Sequence, residues 1–290
     1  MEKGSFLERF YSHRLVRTLA LTALLSTTSF HYVEKEPIPI KNPVWIIGEE
    51  DLSKFIDDNS PLAERLFNSP STFVIDTDQA TLPEEWKANI ALPFASYAEF
   101  EEVINGGIDP QIDAVVYDNE GWDKTPLEEQ ENAIEYTKKF ADLAHENDLL
   151  FINAPHVSLA EANGRTEKGL SANWDFYLNI VRNAARYSDI LVLQLQWAVY
   201  DGEDYNDFLI EAREVALEEA DKYDRRLLVL GEISTNPEIP EATVENLHSI
   251  ITKSLTEVNG MWLLLNHRDK GVGSDLLDSL RVLYPPRPLI

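Results

Sequence analysis

The chain has 290 residues, 51 acidic against 25 basic side chains, a net charge of −26 and no cysteine. Such a surface repels a phosphate backbone, which excludes a general nucleic-acid binder. The missing thiols exclude disulfide scaffolds, thiolate zinc sites and cysteine nucleophiles. The composition, 44% hydrophobic and 26% charged, is that of a folded globular chain rather than an acidic tail.

The charge is uneven along the chain. Residues 1–33 hold Lys3, Arg9, Arg14 and Arg17 against Glu2 and Glu8, a balance of +2, which leaves −28 for the rest. An apolar run from Leu15 to Leu25 follows the basic residues, and small polar residues from Ser26 to Ser29 follow that. Basic, then apolar, then small is the order of a secretory signal. The run is too short for a membrane span of about 20 residues. The expectation is a signal-like or anchoring leader over 1–33, an extracellular or cell-surface location, and membrane contact only through an uncleaved leader. The competing reading is an amphipathic helix packed on the domain. Pro37, Pro39 and Pro43 mark 34–43 as an extended linker.

From residue 44 a pattern repeats eight times. Short apolar runs rich in Val, Ile and Leu predict strands at Val44–Ile47, Thr72–Ile75, Asn89–Leu92, Ile112–Tyr117, Leu149–Ile152, Ile190–Leu195, Leu227–Leu230 and Met261–Leu265. Such strands suit a parallel sheet buried on both faces. Helical segments intervene. One begins at Thr125-Pro126-Leu127-Glu128, with Thr125 as cap, Glu128 closing a capping box, and Ile134, Phe140 and Leu143 on its apolar stripe. Others cover Tyr205–Tyr223 and the region near Val244–Leu255. Eight strand–helix alternations over 44–290 predict one α/β domain, a (β/α)8 barrel. The alternative, a doubly wound open sheet, usually has a Gly-rich first turn; here Gly48-Glu49-Glu50 would repel a pyrophosphate.

A barrel of this kind places its active site at the C-terminal ends of the strands. The residues there are Asp76 and Asp78 after strand two, and Tyr117, Asp118, Asn119, Glu120 and Trp122 at the end of strand four. Asn153 and His156 follow strand five, Gln194, Gln196 and Trp197 strand six, Glu232 strand seven, and Asn266 and His267 strand eight. Aromatic faces stack on pyranose rings, and amides and carboxylates bind hydroxyls, so this set suits a carbohydrate or another small polar ligand. The expected acids are Glu120 and Glu232, with Asp118 as alternative acid or as a neighbour that tunes Glu120. Tyr117, Asn119, Trp122, Asn153, Gln194, Gln196, Trp197, Asn266 and Asp76 are expected to bind substrate.

The pair Asn119-Glu120 with Glu232 resembles the clan of barrel glycosidases that carry an Asn-Glu acid/base after strand four and a Glu nucleophile after strand seven. The resemblance implies a two-carboxylate hydrolase in which Asn119 contacts the sugar 2-hydroxyl. Retaining enzymes hold the carboxyls about 5–5.5 Å apart, inverting ones about 6.5–9.5 Å. The clan usually has Pro after the Glu, where this chain has Gly121. A wider stretch is similar to an uncharacterised family of exported bacterial glycosidase-like barrels. The matching motifs are Val116-Tyr117-Asp118-Asn119-Glu120-Gly121-Trp122, Thr125-Pro126, Glu129-Gln130, Ala154-Pro155, Gln194-Leu195-Gln196, Ser234-Thr235-Asn236 and Gly260-Met261-Trp262-Leu263. It implies the barrel and export, and no particular reaction.

Other chemistries find less support. No Gly-x-Ser-x-Gly elbow occurs. Gly271-Val272-Gly273-Ser274, near Arg268 and Lys270, is a possible anion cradle, or a turn with Ser274 capping the last helix. His156 and His267 with Asp76, Asp78 or Asp118 form a weak metal-site alternative. His145 and His248 belong to helix surfaces, and Trp45, Trp174 and Trp262 to the core or its wall. No cofactor is expected. A sugar-binding barrel without catalysis is the alternative to the hydrolase.

Overall fold

The computed structural model describes residues 42–75, 82–83, 85–200, 204–236, 241–265 and 271–283. The leader, Asp76, Asp78, Asn266, His267, Arg268 and Lys270 lie outside the described residues. So do 34–41 of the linker.

Eight parallel strands close into a barrel in chain order. They are β1 Val44–Gly48, β2 Thr72–Ile75, β3 Asn89–Phe94, β4 Ile112–Tyr117, β5 Leu150–Asn153, β6 Ile190–Leu193, β7 Leu228–Ser234 and β8 Gly260–Leu264. β8 pairs with β1 through Ile46 and Trp262, which shuts the sheet. The helices are α1 Glu49–Phe67, α2 Tyr97–Gly106, α3 Leu127–Glu131, α4 Ala133–Glu146, α5 Leu159–Ala162, α6 Trp174–Ala184, α7 Gln196–Tyr200, α8 Tyr205–Lys222, α9 Val244–Ser254 and α10 Val272–Ser279. The open-sheet alternative is thereby excluded. Glu49 and Glu50 begin α1, where acidic side chains complement the helix dipole.

Side chains on successive strand residues point to opposite faces. Val44, Ile46, Phe73, Ala91, Ala114, Val116, Ile152, Ile190, Val192, Leu230 and Trp262 pack together inside the barrel. Their neighbours face the helices: Val115, Tyr117 and Phe151 join Phe94, Phe100 and Phe140 in one outer cluster. A larger outer cluster joins Trp45, Leu191, Val229, Ile233 and Met261 to the apolar faces of α1, α6, α8 and α9. Both faces being buried is the reason the strands read as continuous apolar runs.

Two local expectations are corrected. Thr125 does not cap a helix: its hydroxyl donates to the Ala95 carbonyl at 2.8 Å and accepts from Trp122 Nε1 at 2.7 Å. Pro126 stands at the start of α3 instead, and the segment breaks at Asn132 into α3 and α4, leaving Ile134 exposed. Ser274 likewise lies inside α10, whose N-cap is Gly271.

Candidate active site

The inward parity of β4, β6 and β7 runs on past the apolar layers into polar residues. Beyond Ala114 and Val116 come Asp118 and Glu120. Beyond Ile190 and Val192 comes Gln194, and beyond Leu228 and Leu230 comes Glu232. Glu232 belongs to β7 itself, in register with the inward-facing Trp262, rather than following the strand. Its backbone is fixed from outside: the Tyr205 hydroxyl donates to its carbonyl at 2.7 Å. Gly231 makes that approach possible, because a Cβ there would lie 2.7 Å from the same hydroxyl.

The three acids have different surroundings. Glu232 is 2% exposed, and its Oε1 has no hydrogen-bond partner among the described residues. Burial, then repulsion by Asp118 and Glu120, push its carboxyl well above the usual carboxylate range. Burial and the Asp118 charge push Glu120 up to about 8, against the pull of Lys124. Burial pushes Asp118 up only to about 6, because a hydrogen bond from Gln194 and the Lys124 charge favour its ionised form. Gln194 Nε2 donates to Asp118 Oδ1 at 2.7 Å and to the Ala154 carbonyl at 2.8 Å. Burial thus favours the protonated form of both carboxyls, more strongly for Glu120, while Gln194 favours the ionised form of Asp118.

A clamp from the loop after β5 holds Glu120. His156 N–H donates to the Asn119 carbonyl at 3.1 Å, and Gly121 N–H donates to Ser158 Oγ at 2.8 Å. A Cβ at Gly121 would meet the Ser158 carbonyl oxygen at 2.6 Å, so no other residue type fits unaltered. Ser158 N–H also donates to His156 Nδ1 at 3.2 Å, and the Ser158 hydroxyl lies 2.7 Å from the same nitrogen. A nitrogen that accepts a backbone hydrogen bond carries no proton, so the neutral ring carries its hydrogen on Nε2. Burial lowers the pKa of His156 to about 4. The 3.9 Å approach of Nδ1 to Glu120 Oε2 is therefore no ion pair at neutral pH.

The remaining expected site residues divide between mouth and wall. Tyr117, Asn119 and Asn153 are buried. Tyr117 packs in the outer cluster and donates to Glu129 Oε2 at 2.8 Å, and Asn119 donates to the Tyr117 hydroxyl at 3.0 Å. Asn153 pairs in register with Tyr117 and Leu191, both outward-facing. These three face the helical layer, which corrects their expected role in binding a ligand at the mouth. The strand alternation places them there. Trp122 is tied to Thr125, and Lys124 Nζ sits 4.8 Å from its ring centroid. Gln196 opens the short helix α7, and the Trp197 ring lies 6.2 Å from that of His156. Trp45 and Trp262 are buried, and Trp174 packs against Tyr177 and Phe208 in the wall. His145 meets Asp189 at 2.9 Å on the surface, whereas His248 is half-buried against Ser279. Among the described residues no three histidine or acidic side chains converge as a metal site would require.

A pocket of about 340 Å³ opens beside Glu120. His156, Trp197, Asn173 and Lys168 are among its walls. Neither Asn173 nor Lys168 belongs to a motif that marks it in the sequence. The available signal was length: twenty residues separate the end of β5 at Asn153 from α6 at Trp174, with only the single turn α5 and a 3-10 turn between. Loops that long are commonly functional.

No protein-family model matches the chain, and no curated protein matches it. Solved structures do. A candidate alpha-L-fucosidase from Bacteroides thetaiotaomicron is 11% identical, with a TM-score of 0.52, over 89% of this chain and 98% of that one. A sugar phosphate isomerase/epimerase from Parabacteroides distasonis is 13% identical, with a TM-score of 0.47, over 89% and 98%. A chitinase from Pseudoalteromonas aurantia is 10% identical, with a TM-score of 0.47, over 82% and 98%. At 11% identity the likeness to the first of these shows the fold alone, in accord with the closed eight-stranded barrel of this chain.

Proposed function

We propose that the protein is an O-glycoside hydrolase in which Glu120 is the general acid and Asp118 its ionised partner. The observation that carries this reading is the contrast between two carboxyls two residues apart at the barrel mouth. Burial and a neighbouring charge favour the protonated form of one, and the Gln194 hydrogen bond favours the ionised form of the other. Environments that push two pKa values apart assign the acid and the base.

The chemistry follows from that division. Glu120 gives its proton to the bridging oxygen as the bond from that oxygen to the anomeric carbon breaks. The leaving group departs with the proton. Positive charge at the anomeric carbon is met by the Asp118 carboxylate. Water then adds to that carbon and returns a proton to Glu120, which restores the acid. Glu232 lies deeper, where burial disfavours its charged form, so it supports Asp118 and Glu120 rather than attacking the sugar. Asp118, the alternative acid, thus stands as the proposed partner of Glu120 in place of Glu232.

A panel of aryl glycosides and neutral oligosaccharides tests the reading, with Glu120→Gln as the control. General acid catalysis contributes about 10²–10⁴-fold, so the variant should lose turnover of that order. If it binds saccharides as before and wild type turns none over, the barrel is a sugar-binding module. The basic leader before an acidic domain also supports export, as a proposal that fractionation of the producing cells would check.

A further inference from the structure

The pocket beside Glu120 has a direction. Of Asp118, Glu120 and Glu232, only Glu120 lines it. A general acid stands between the sugar being cleaved and the group that leaves, and the ionised partner faces the sugar being cleaved. Space that touches the acid and not its partner is where the departing group sits.

The walls describe what that group is. Trp197 offers a half-buried aromatic face beside the neutral His156. Asn173 is 3% exposed, and its amide hydrogens are both used, on the Glu167 carbonyl at 2.9 Å and the Gly169 carbonyl at 3.1 Å. Its buried Oδ1 is left without a partner among the described residues, and can only accept. At the exposed rim Lys168 is paired with Glu161 at 3.2 Å, so Glu167 leaves the rim with an excess of negative charge. An aromatic wall and an acidic rim favour the face of an uncharged ring and oppose a carboxylate or sulfate.

We infer that this pocket seats the leaving group of the hydrolysis, and that this group is a sugar ring bearing no acidic substituent. The inference rests on the proposed role of Glu120. Its volume, about 340 Å³, falls within the range of about 300–1,000 Å³ of small-ligand sites.

The test uses the full chain carrying Glu120→Gln, titrated with neutral gluco-, galacto-, manno- and xylo-configured tetrasaccharides and with a tetragalacturonate. Calorimetry and tryptophan fluorescence are read. At least one neutral saccharide should bind, tetragalacturonate should not, and Trp197→Ala should weaken the neutral saccharide about tenfold. Trp197 also touches the core, so a second variant is needed. Glu161→Lys with Glu167→Lys reverses the charge of the exposed rim, and it should admit tetragalacturonate. Failure of every saccharide to bind, binding of tetragalacturonate by the parent, or neutral binding untouched in a folded Trp197→Ala would overturn the inference. Turnover of aryl glycosides lost on Glu120→Gln, together with saccharide binding indifferent to Trp197, sinks the pocket and keeps the hydrolase. Binding that depends on Trp197 without turnover by wild type sinks the hydrolase, and the leaving-group role with it.

Discussion

Gln194 gives both amide hydrogens away, one to Asp118 Oδ1 at 2.7 Å and one to the Ala154 carbonyl at 2.8 Å. The amide cannot be turned over, because its oxygen would then face two acceptors. A hydrogen bond to a charged group is worth about 1.5–3 kcal/mol, which corresponds to about one to two pKa units. Gln194→Met keeps the volume and removes the donor. The Asp118 carboxyl should rise further, and the acidic limb of the rate profile should move to higher pH by about one to two units.

The same two carboxyls set the whole profile. Asp118 must be ionised and Glu120 protonated. With Asp118 pushed to about 6 and Glu120 to about 8, activity should rise through pH 6, peak near 7 and fall through pH 8. In Asp118→Asn the charge that raises Glu120 is gone, so the alkaline limb of residual activity should shift downward. An alkaline limb that stays in place would remove Asp118 from the account of Glu120.

The architecture was legible because its cause is local. Eight apolar runs mark eight strands, and the runs at Thr72–Ile75 and Ile112–Tyr117 have the bounds of β2 and β4. Asp118, Glu120 and Gln194 were legible too, since inward parity continues from the strands that precede them. Parity also explains the misplaced Tyr117, Asn119 and Asn153: the sequence neighbours of inward residues face outward. Ser158, Asn173 and Lys168 were not legible. Their positions depend on how a long loop folds back over Glu120, and no periodicity encodes that.

The three raised carboxyls should make stability fall as pH rises, against a smaller opposite contribution from His156, whose lowered pKa acts between about pH 4 and 6.5. Asp118, Glu120 and Glu232 all have native pKa values above their unfolded ones. The native state thus holds protons that the unfolded chain has released. The stability involved is fully present below about pH 4 and is lost as pH rises through each native value, at up to about 1.4 kcal/mol per unit for each group. Thermal melts of wild type should fall between pH 4 and 8. Glu232→Gln should flatten that fall, and it should melt higher than wild type at pH 8. A variant curve parallel to wild type would mean that Glu232 is ionised in the native state.

Gly121 stands where a Cβ would press on the Ser158 backbone, 2.6 Å from its carbonyl oxygen and 2.9 Å from its carbonyl carbon. Backbone atoms cannot swing aside as a flexible side chain can. Gly121→Ala should therefore cost about 1–3 kcal/mol of stability through overpacking. It should also move Glu120, its chain neighbour. A displacement of about 1 Å at a catalytic group can cost about 100-fold in rate. Denaturant melts and turnover should fall together, whereas Gly106→Ala, whose added Cβ meets nothing within 4 Å, should not touch turnover.

His156 reports whether the clamp is intact. Ser158 N–H donates to Nδ1, so the neutral ring carries its proton on Nε2, and burial holds its pKa near 4. Imidazole nitrogen shifts measured by NMR should show the Nε2–H tautomer throughout pH 5–9. Ser158→Ala removes the hydroxyl that lies 2.7 Å from Nδ1 and accepts from Gly121 N–H. The ring should then protonate at higher pH. The ring still stays neutral where Glu120 titrates, so the alkaline limb of activity should not move through its charge. Ser158→Thr keeps the hydroxyl and should restore the low pKa of the ring. Wild-type shifts that show Nδ1–H would break this chain of argument at its first link.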